Sequence, residues 1–283
     1  MSRPKEPYTY GADLAPLRAL VGTRRPSGAD GGRVAATVDA GRLVGEASTL
    51  YASSPTAVSE LLADHPHARL VLMVRDPVRL ARSFHGEMRF RGYEDEPSFT
   101  RAWALQEARR EDPGLVPRRC PLPRLLQYGD VAALGTQLQR LHDQAGPDRV
   151  LVLFQEDLAA DPRGTYRAAL DFLGVADDGR ETFPAVNVAK RPRWPWLNRV
   201  LLSAPVVRSG RWARSMLPDA LHGPVGRAFR SVTRRPADTA TTDAVVDLQR
   251  IAAELAVEVD LLGALTGRDL GHWGRVEPPP RSS

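Results

Sequence analysis

Cysteine is almost absent from this 283-residue chain and lysine nearly so: Cys120 stands alone, and lysine occurs only at positions 5 and 190. A single thiol excludes an intramolecular disulfide and a cysteine-built metal site, and it fits a reducing compartment. No apolar run is long enough to cross a bilayer and no signal-peptide pattern is present, so a cytoplasmic location is expected. The Gly-x-Ser-x-Gly elbow is missing, which removes the serine-hydrolase reading. Histidine is scarce too, and His65 and His67, flanking a proline, have no further ligands nearby, so no metal is expected. Basic residues exceed acidic ones by a formal charge of only +5, and arginine supplies nearly all of them. Guanidinium forks pair well with phosphate and sulfate, so this composition suits an anionic ligand. The charged fraction of 26% is ordinary, which speaks against wholesale disorder.

What the chain does contain is an α/β pattern. Leu43 to Ala47, Leu70 to Val74 and Val150 to Phe154 read as strands, each followed by helical periodicity that returns the chain to a parallel neighbour. Helices are expected over Pro55 to Asp64, Pro77 to Arg91, Ser98 to Arg110, Asp130 to Ala145 and Asp161 to Leu173, the last stopped by Gly174. Glu111 to Arg124, with four prolines, reads as a loop. Asp238 to Leu265 carries a long amphipathic pattern broken by Gly263. The length allows one domain, residues 1–275, with an α/β core over 1–190, a helical cap over 191–275 and a disordered tail over 276–283.

The most informative stretch runs from Arg69 to Ser83. Leu70 to Val74 is a short continuous apolar run, as expected for a parallel strand covered on both faces. Asp76 can cap the following helix and Pro77 suits its first turn. First-turn amides and the helix dipole favour an anion there, with Arg75 adding a forked charge and Ser83 a hydroxyl. The plainer reading stays open at this point: an ordinary strand-to-helix unit in which Arg75 only neutralises Asp76.

The order of landmarks along the chain resembles the PAPS-dependent sulfotransferases, in the branch that holds heparan-sulfate-type enzymes and many bacterial relatives. The resemblance covers nearly the whole chain. Lys5-Glu6-Pro7-Tyr8-Thr9-Tyr10 is similar to the family's Lys-Glu-Pro box, and Gly45-Glu46-Ala47-Ser48-Thr49-Leu50-Tyr51 to its Gly-Glu-Ala-Ser box. Arg75-Asp76-Pro77 with Ser83 resembles the 3′-phosphate-binding motif. Arg91-Gly92-Tyr93-Glu94 and Ser98-Phe99 follow more loosely. Glu156-Asp157-Leu158, Asp161-Pro162 and Phe172-Leu173-Gly174 resemble the late strand and helix, and Leu265 to Leu270 with His272-Trp273 the closing segment. One departure stands out. The family opens with a strand, a glycine-rich phosphosulfate loop and a helix ahead of the Lys-Glu-Pro box, whereas here Met1 is only a few residues before Lys5, and no comparable loop occurs elsewhere. A natural start further upstream is the expectation; a degenerate relative that binds without catalysing is the alternative. Loss of that central strand would leave a sheet edge exposed.

The resemblance implies a three-layer P-loop-nucleotide-type α/β fold, with a parallel central sheet and a helical C-terminal cap. It implies sulfuryl transfer from 3′-phosphoadenosine 5′-phosphosulfate (PAPS) to a hydroxyl or amine, with no metal. Glu6 would be the general base, with Lys5 beside it. Arg75 and Ser83 would hold the 3′-phosphate, with Lys190, Arg191 and Arg193 as further cofactor contacts. Tyr8, Tyr10, Glu46 and Ser48 would shape the acceptor site, although family members often carry a lysine near Glu46 and this chain does not. The acceptor could be a carbohydrate, a lipid or a small metabolite. Arginines among Trp194, Trp196 and Trp212 give residues 190–235 a basic amphipathic character, open to a solvated cap, an anion-facing wall or a peripheral membrane face. A nucleic-acid-binding protein is the alternative from another class, disfavoured by the small charge excess. Glu156 and Asp157 could suggest a metal pair, but helix capping explains Asp157, and His272 is expected to pack the C-terminus.

Overall fold

The computed structural model describes residues 6–22, 43, 45–184, 191–192, 234–235 and 242–275. In chain order the elements are α1 (Ala15–Val21), α2 (Ala57–Asp64), β1 (Leu70–Val74), α3 (Pro77–Arg91), α4 (Phe99–Ala104), α5 (Gln106–Glu111), α6 (Tyr128–Ala132) and α7 (Leu134–Ala145). They continue with β2 (Val150–Phe154), α8 (Gln155–Ala160), α9 (Pro162–Leu173), β3 (Arg191–Pro192), β4 (Arg234–Arg235), α10 (Thr242–Glu254) and α11 (Ala256–Thr266). The architecture is α/β.

Two compact units divide the described chain: one takes in residues up to 79, 129–184 and 251–275, the other residues 80–128, 191–192, 234–235 and 242–250. The first unit holds the parallel pair of β1 and β2, in register from Leu70 opposite Val150 to Val74 opposite Phe154. Both strands therefore end at the same level, and each feeds a helix, α3 after β1 and α8 after β2. Leu72 and Val74 are buried, whereas Val71 and Met73 are each 45% exposed. The expectation of a strand covered on both faces is thus corrected: the described residues bury one face of β1 only. Helices α7 and α11 pack so closely that a methyl group on Gly135 would lie 2.5 Å from the Glu258 carbonyl oxygen.

Local chemistry fixes the helix ends. Asp161 caps α9 by accepting from the Gly164 amide at 2.8 Å, with Pro162 in the first turn. Gly174 ends it at φ 70°, and the Val175 amide returns to the Leu170 carbonyl at 2.9 Å, as the sequence anticipated. The helix expected over Ser98 to Arg110 is interrupted at Leu105, and the one over Asp130 to Ala145 at Ala133. The long C-terminal helix breaks at Leu255, not at Gly263. Gly263 sits inside α11, where the Arg268 carbonyl comes within 3.0 Å of where a Cβ would stand, so the glycine serves close approach.

Leu43 to Ala47 is not a strand over its described residues, 43 and 45–47. Leu43 is 60% exposed, and Glu46 and the neighbouring Ser48 reach the segment over residues 8–9 through their side chains, leaving no backbone ladder. The second unit is built round Tyr128, which is fully buried among Phe84, His85 and Phe99. Beneath it lies a buried ion pair, Arg109 with Glu94, at 2.7 Å. Among the described residues no helix is long and apolar enough to cross a membrane.

Candidate functional site

In parallel α/β sheets ligands bind beyond the carboxyl ends of the strands. At that end of β1, Arg75 is half-buried. Its Nη2 donates to the Arg79 carbonyl at 2.5 Å, and its buried Nε finds no hydrogen-bond partner. Burial holds its pKa below the ordinary arginine value; the charge of Asp76 works against this and that of Arg79 with it.

Asp76 does not form an ion pair with its neighbour. One carboxylate oxygen accepts from the Arg79 amide at 2.9 Å, capping α3, and the other accepts from the Gly274 amide at 2.9 Å. The plain reading, in which Arg75 only neutralises Asp76, therefore fails on geometry. The cap uses one amide of the first turn and Pro77 has none, so side chains must carry more of any anion recognition than the sequence implied. Ser83 is exposed on α3, eight residues beyond Arg75. Arg79 and Arg82, on the same helix, are also exposed.

Residues from the two N-terminal boxes do come together. The backbone amides of residues 8 to 12 each donate to a side chain: Tyr8 to Ser48 at 3.2 Å, Thr9 to Glu46 at 3.3 Å, Tyr10 to the Tyr51 hydroxyl at 3.0 Å. Gly11 and Ala12 donate to the two oxygens of Glu60, at 3.2 and 2.7 Å. The Arg18 fork closes the other side, donating to the carbonyls of Tyr8 at 2.6 Å and Gly11 at 2.7 Å. Side chains thus do the work of a neighbouring strand. Tyr8 sits at φ 49°, a conformation that a bulky side chain rarely adopts, and its hydroxyl donates to Glu6 at 2.5 Å. The left-handed turn brings the phenol back onto a carboxylate two residues away. Thr49 Oγ1 approaches the other Glu6 oxygen at 3.4 Å. Tyr51 donates to Glu46, and burial together with that carboxylate pushes its pKa well up.

Of the expected site residues, Glu6, Tyr8, Glu46 and Ser48 form one bonded cluster, and Tyr10 joins it through its amide. Tyr10 also meets His65 Nε2 at 3.0 Å through its hydroxyl. Arg75 and Ser83 belong to the β1–α3 segment, and among the described residues neither is bonded to that cluster. Lys5, Lys190 and Arg193 lie outside the described residues, and so does the side chain of Arg191.

The C-terminal stretch supplies partners that sequence reasoning missed. Asp157 is not a cap: it lies in the first turn of α8 and takes both arms of Arg268, at 2.5 and 2.6 Å. The bidentate pair holds its carboxyl below the usual range. Glu156 accepts from Trp273 Nε1 and lies 3.0 Å from His272 Nε2. Among the described residues these carboxylates hold the segment over Arg268 to Trp273. The only sequence signal was the acidic pair directly after β2.

No protein-family model matches the chain, and no curated protein matches it. A solved structure does: a sulfotransferase from Alicyclobacillus acidocaldarius, 24% identical, with a TM-score of 0.58 over 97% of this chain and 84% of that one. The chain has a sulfotransferase-like fold.

Proposed function

We propose that the protein is a PAPS-dependent sulfotransferase of three-layer P-loop-nucleotide architecture, acting in the cytoplasm on a hydroxyl or amine of a carbohydrate, lipid or small metabolite. One observation carries the reading: Arg75 is half-buried at the carboxyl end of a parallel strand with a buried Nε that has no partner among the described residues, while Asp76 is committed to two amides elsewhere. A partly desolvated guanidinium that makes no direct ion pair with the adjacent carboxylate, beside a helix N-terminus, suits a phosphomonoester. The fold likeness supports it.

In this reading Arg75 and Ser83 hold the 3′-phosphate of PAPS, helped by Lys190, Arg191 and Arg193. The acceptor oxygen or nitrogen attacks sulfur in line; a new S–O or S–N bond forms, the bond from sulfur to the 5′-phosphate oxygen breaks, and the electron pair leaves with adenosine 3′,5′-bisphosphate. Glu6 takes the acceptor proton, and Lys5 steadies the charge. The Tyr8 hydroxyl fixes the Glu6 carboxylate by its 2.5 Å hydrogen bond. Tyr10, Glu46 and Ser48 form the wall behind it.

The test is calorimetric binding of adenosine 3′,5′-bisphosphate and of 5′-AMP. The native chain should prefer the bisphosphate. Arg75→Ala should weaken bisphosphate binding by about 1.5–3 kcal/mol, as for a hydrogen bond to a charged group, and leave 5′-AMP unchanged. Equal loss for both nucleotides would remove Arg75 from the phosphate site.

A further inference from the structure

Asp76 follows Arg75 directly, and the default fate of an adjacent Arg and Asp in a half-dry site is to pair, since attraction grows as water is excluded. Here they do not. The cap bond to the Arg79 amide is generic to helix starts, but the second bond, from the Gly274 amide at 2.9 Å, comes from 198 residues away. Gly274 presents that amide at φ 75°, and a Cβ there would stand 3.2 Å from the Ala252 side chain, so the position suits glycine. The segment leading to it is held at both ends. Arg268 grips Asp157 with both arms and lies 4.1 Å over the Phe154 ring. Trp273 packs on the same ring at 6.0 Å between centroids and donates to Glu156. Residues 268–274 therefore cross from the end of β2 to the end of β1, all within the first unit.

We propose that this closing segment is a positioning strap: by holding the Asp76 carboxylate through Gly274 it keeps Asp76 off Arg75 and so leaves Arg75 free for a phosphate. The proposal rests on Arg75 being a phosphate ligand, as argued above. Asp76 and Arg268 act through Arg75 and touch no substrate. Loosening the strap lets Asp76 swing onto its neighbour and cancel its charge, which should cost recognition of the 3′-phosphate and little else.

The experiment compares binding of adenosine 3′,5′-bisphosphate and 5′-AMP to the full chain. Arg268→Ala should lower the preference for the bisphosphate about tenfold with 5′-AMP affinity unchanged. Trp273→Phe, which keeps an aromatic ring beside Phe154 while removing the bond to Glu156 and part of the packing, should move it the same way by less and serves if the first variant fails to fold. Asp76→Asn placed in the Arg268→Ala background should restore the preference, because an amide cannot neutralise Arg75; a merely structural strap gives no such rescue. An unchanged preference in the strap variants, or no rescue, overturns the strap while the Arg75 reading stands. No preference in the native chain overturns both.

Discussion

In the proposed reading, Arg75 shows how a single side chain is prepared for an anion by what its neighbours decline to do. Its guanidinium is dried by burial, one arm is spent on the Arg79 carbonyl, and the adjacent carboxylate is turned away. Ser83 is the complementary residue, an exposed hydroxyl on the same helix. Ser83→Ala should weaken adenosine 3′,5′-bisphosphate binding by about 0.5–1.5 kcal/mol, the net worth of an ordinary hydrogen bond, and leave thermal unfolding within error of the native chain. A change in melting with no change in binding would count against its role. Tyr8 is the other residue of note. Its left-handed backbone costs about 1–2 kcal/mol for a side chain with a Cβ, and it is retained with its phenol on Glu6. Tyr8→Gly should therefore recover part of that strain while lowering sulfuryl transfer; higher turnover by this variant would argue that Tyr8 does not orient Glu6.

Among the elements, helices set the geometry more than strands do. A close approach of two helices in the first unit lies between α7 and α11, at Gly135, where an added Cβ would meet the Glu258 carbonyl oxygen at 2.5 Å and the Leu261 side chain at 2.9 Å. Backbone cannot step aside as a side-chain tip can. Gly135→Ala should cost about 1–3 kcal/mol by overpacking, read from chemical denaturation. The helix pair is further tied by the Thr136 amide and hydroxyl, which donate to Glu258 at 2.8 and 2.7 Å. Asp161, which caps α9, is a milder case: Asp161→Ala should cost about 1 kcal/mol by releasing the Gly164 amide. Its capping role was legible from Asp161-Pro162 alone, because a cap is local chemistry. The tight spot at Gly135 was not legible, since nothing in the sequence says which face of α7 another helix will touch.

Across the whole molecule, the second unit carries the larger electrostatic stake. Glu94 and Arg109 are buried to within 2% of full burial and bonded at 2.7 and 2.9 Å, with the Tyr128 hydroxyl donating to the same carboxylate at 2.6 Å. Burial alone would raise the pKa of Glu94, but Arg109, Tyr128 and the Glu96 amide together hold it below the usual carboxylate value. Glu94→Ala leaves the buried Arg109 guanidinium only the exposed Asp95 carboxylate, 3.8 Å away, and should cost about 3–5 kcal/mol. Because the folded-state pKa is depressed, the native state binds fewer protons in the window between the two values. The contribution is fully present above the unfolded pKa and is lost as pH falls through the folded one. Acid titration of stability should thus be less steep in Glu94→Gln than in the native chain; an identical slope would mean that the pair does not govern acid unfolding.

The sequence by itself determined the α/β class, the strands Leu70 to Val74 and Val150 to Phe154, the start of α3 at Pro77 and the stop at Gly174, because short apolar runs, proline and glycine act over a few residues. The family resemblance read from it implied roles for Arg75, Glu6 and the two N-terminal boxes, and the structure brings Glu6 and the boxes into one bonded cluster without Arg75. Only the tertiary structure decided that Leu43 to Ala47 joins no sheet, that one face of β1 stays open, and that Asp157 pairs with Arg268 instead of capping a helix. It alone decided that Asp76 leaves Arg75 unpaired. Each of these depends on partners far apart in the chain, Gly274 for Asp76 and Arg268 for Asp157, and short-range pattern carries no record of which distant donor will reach a given carboxylate.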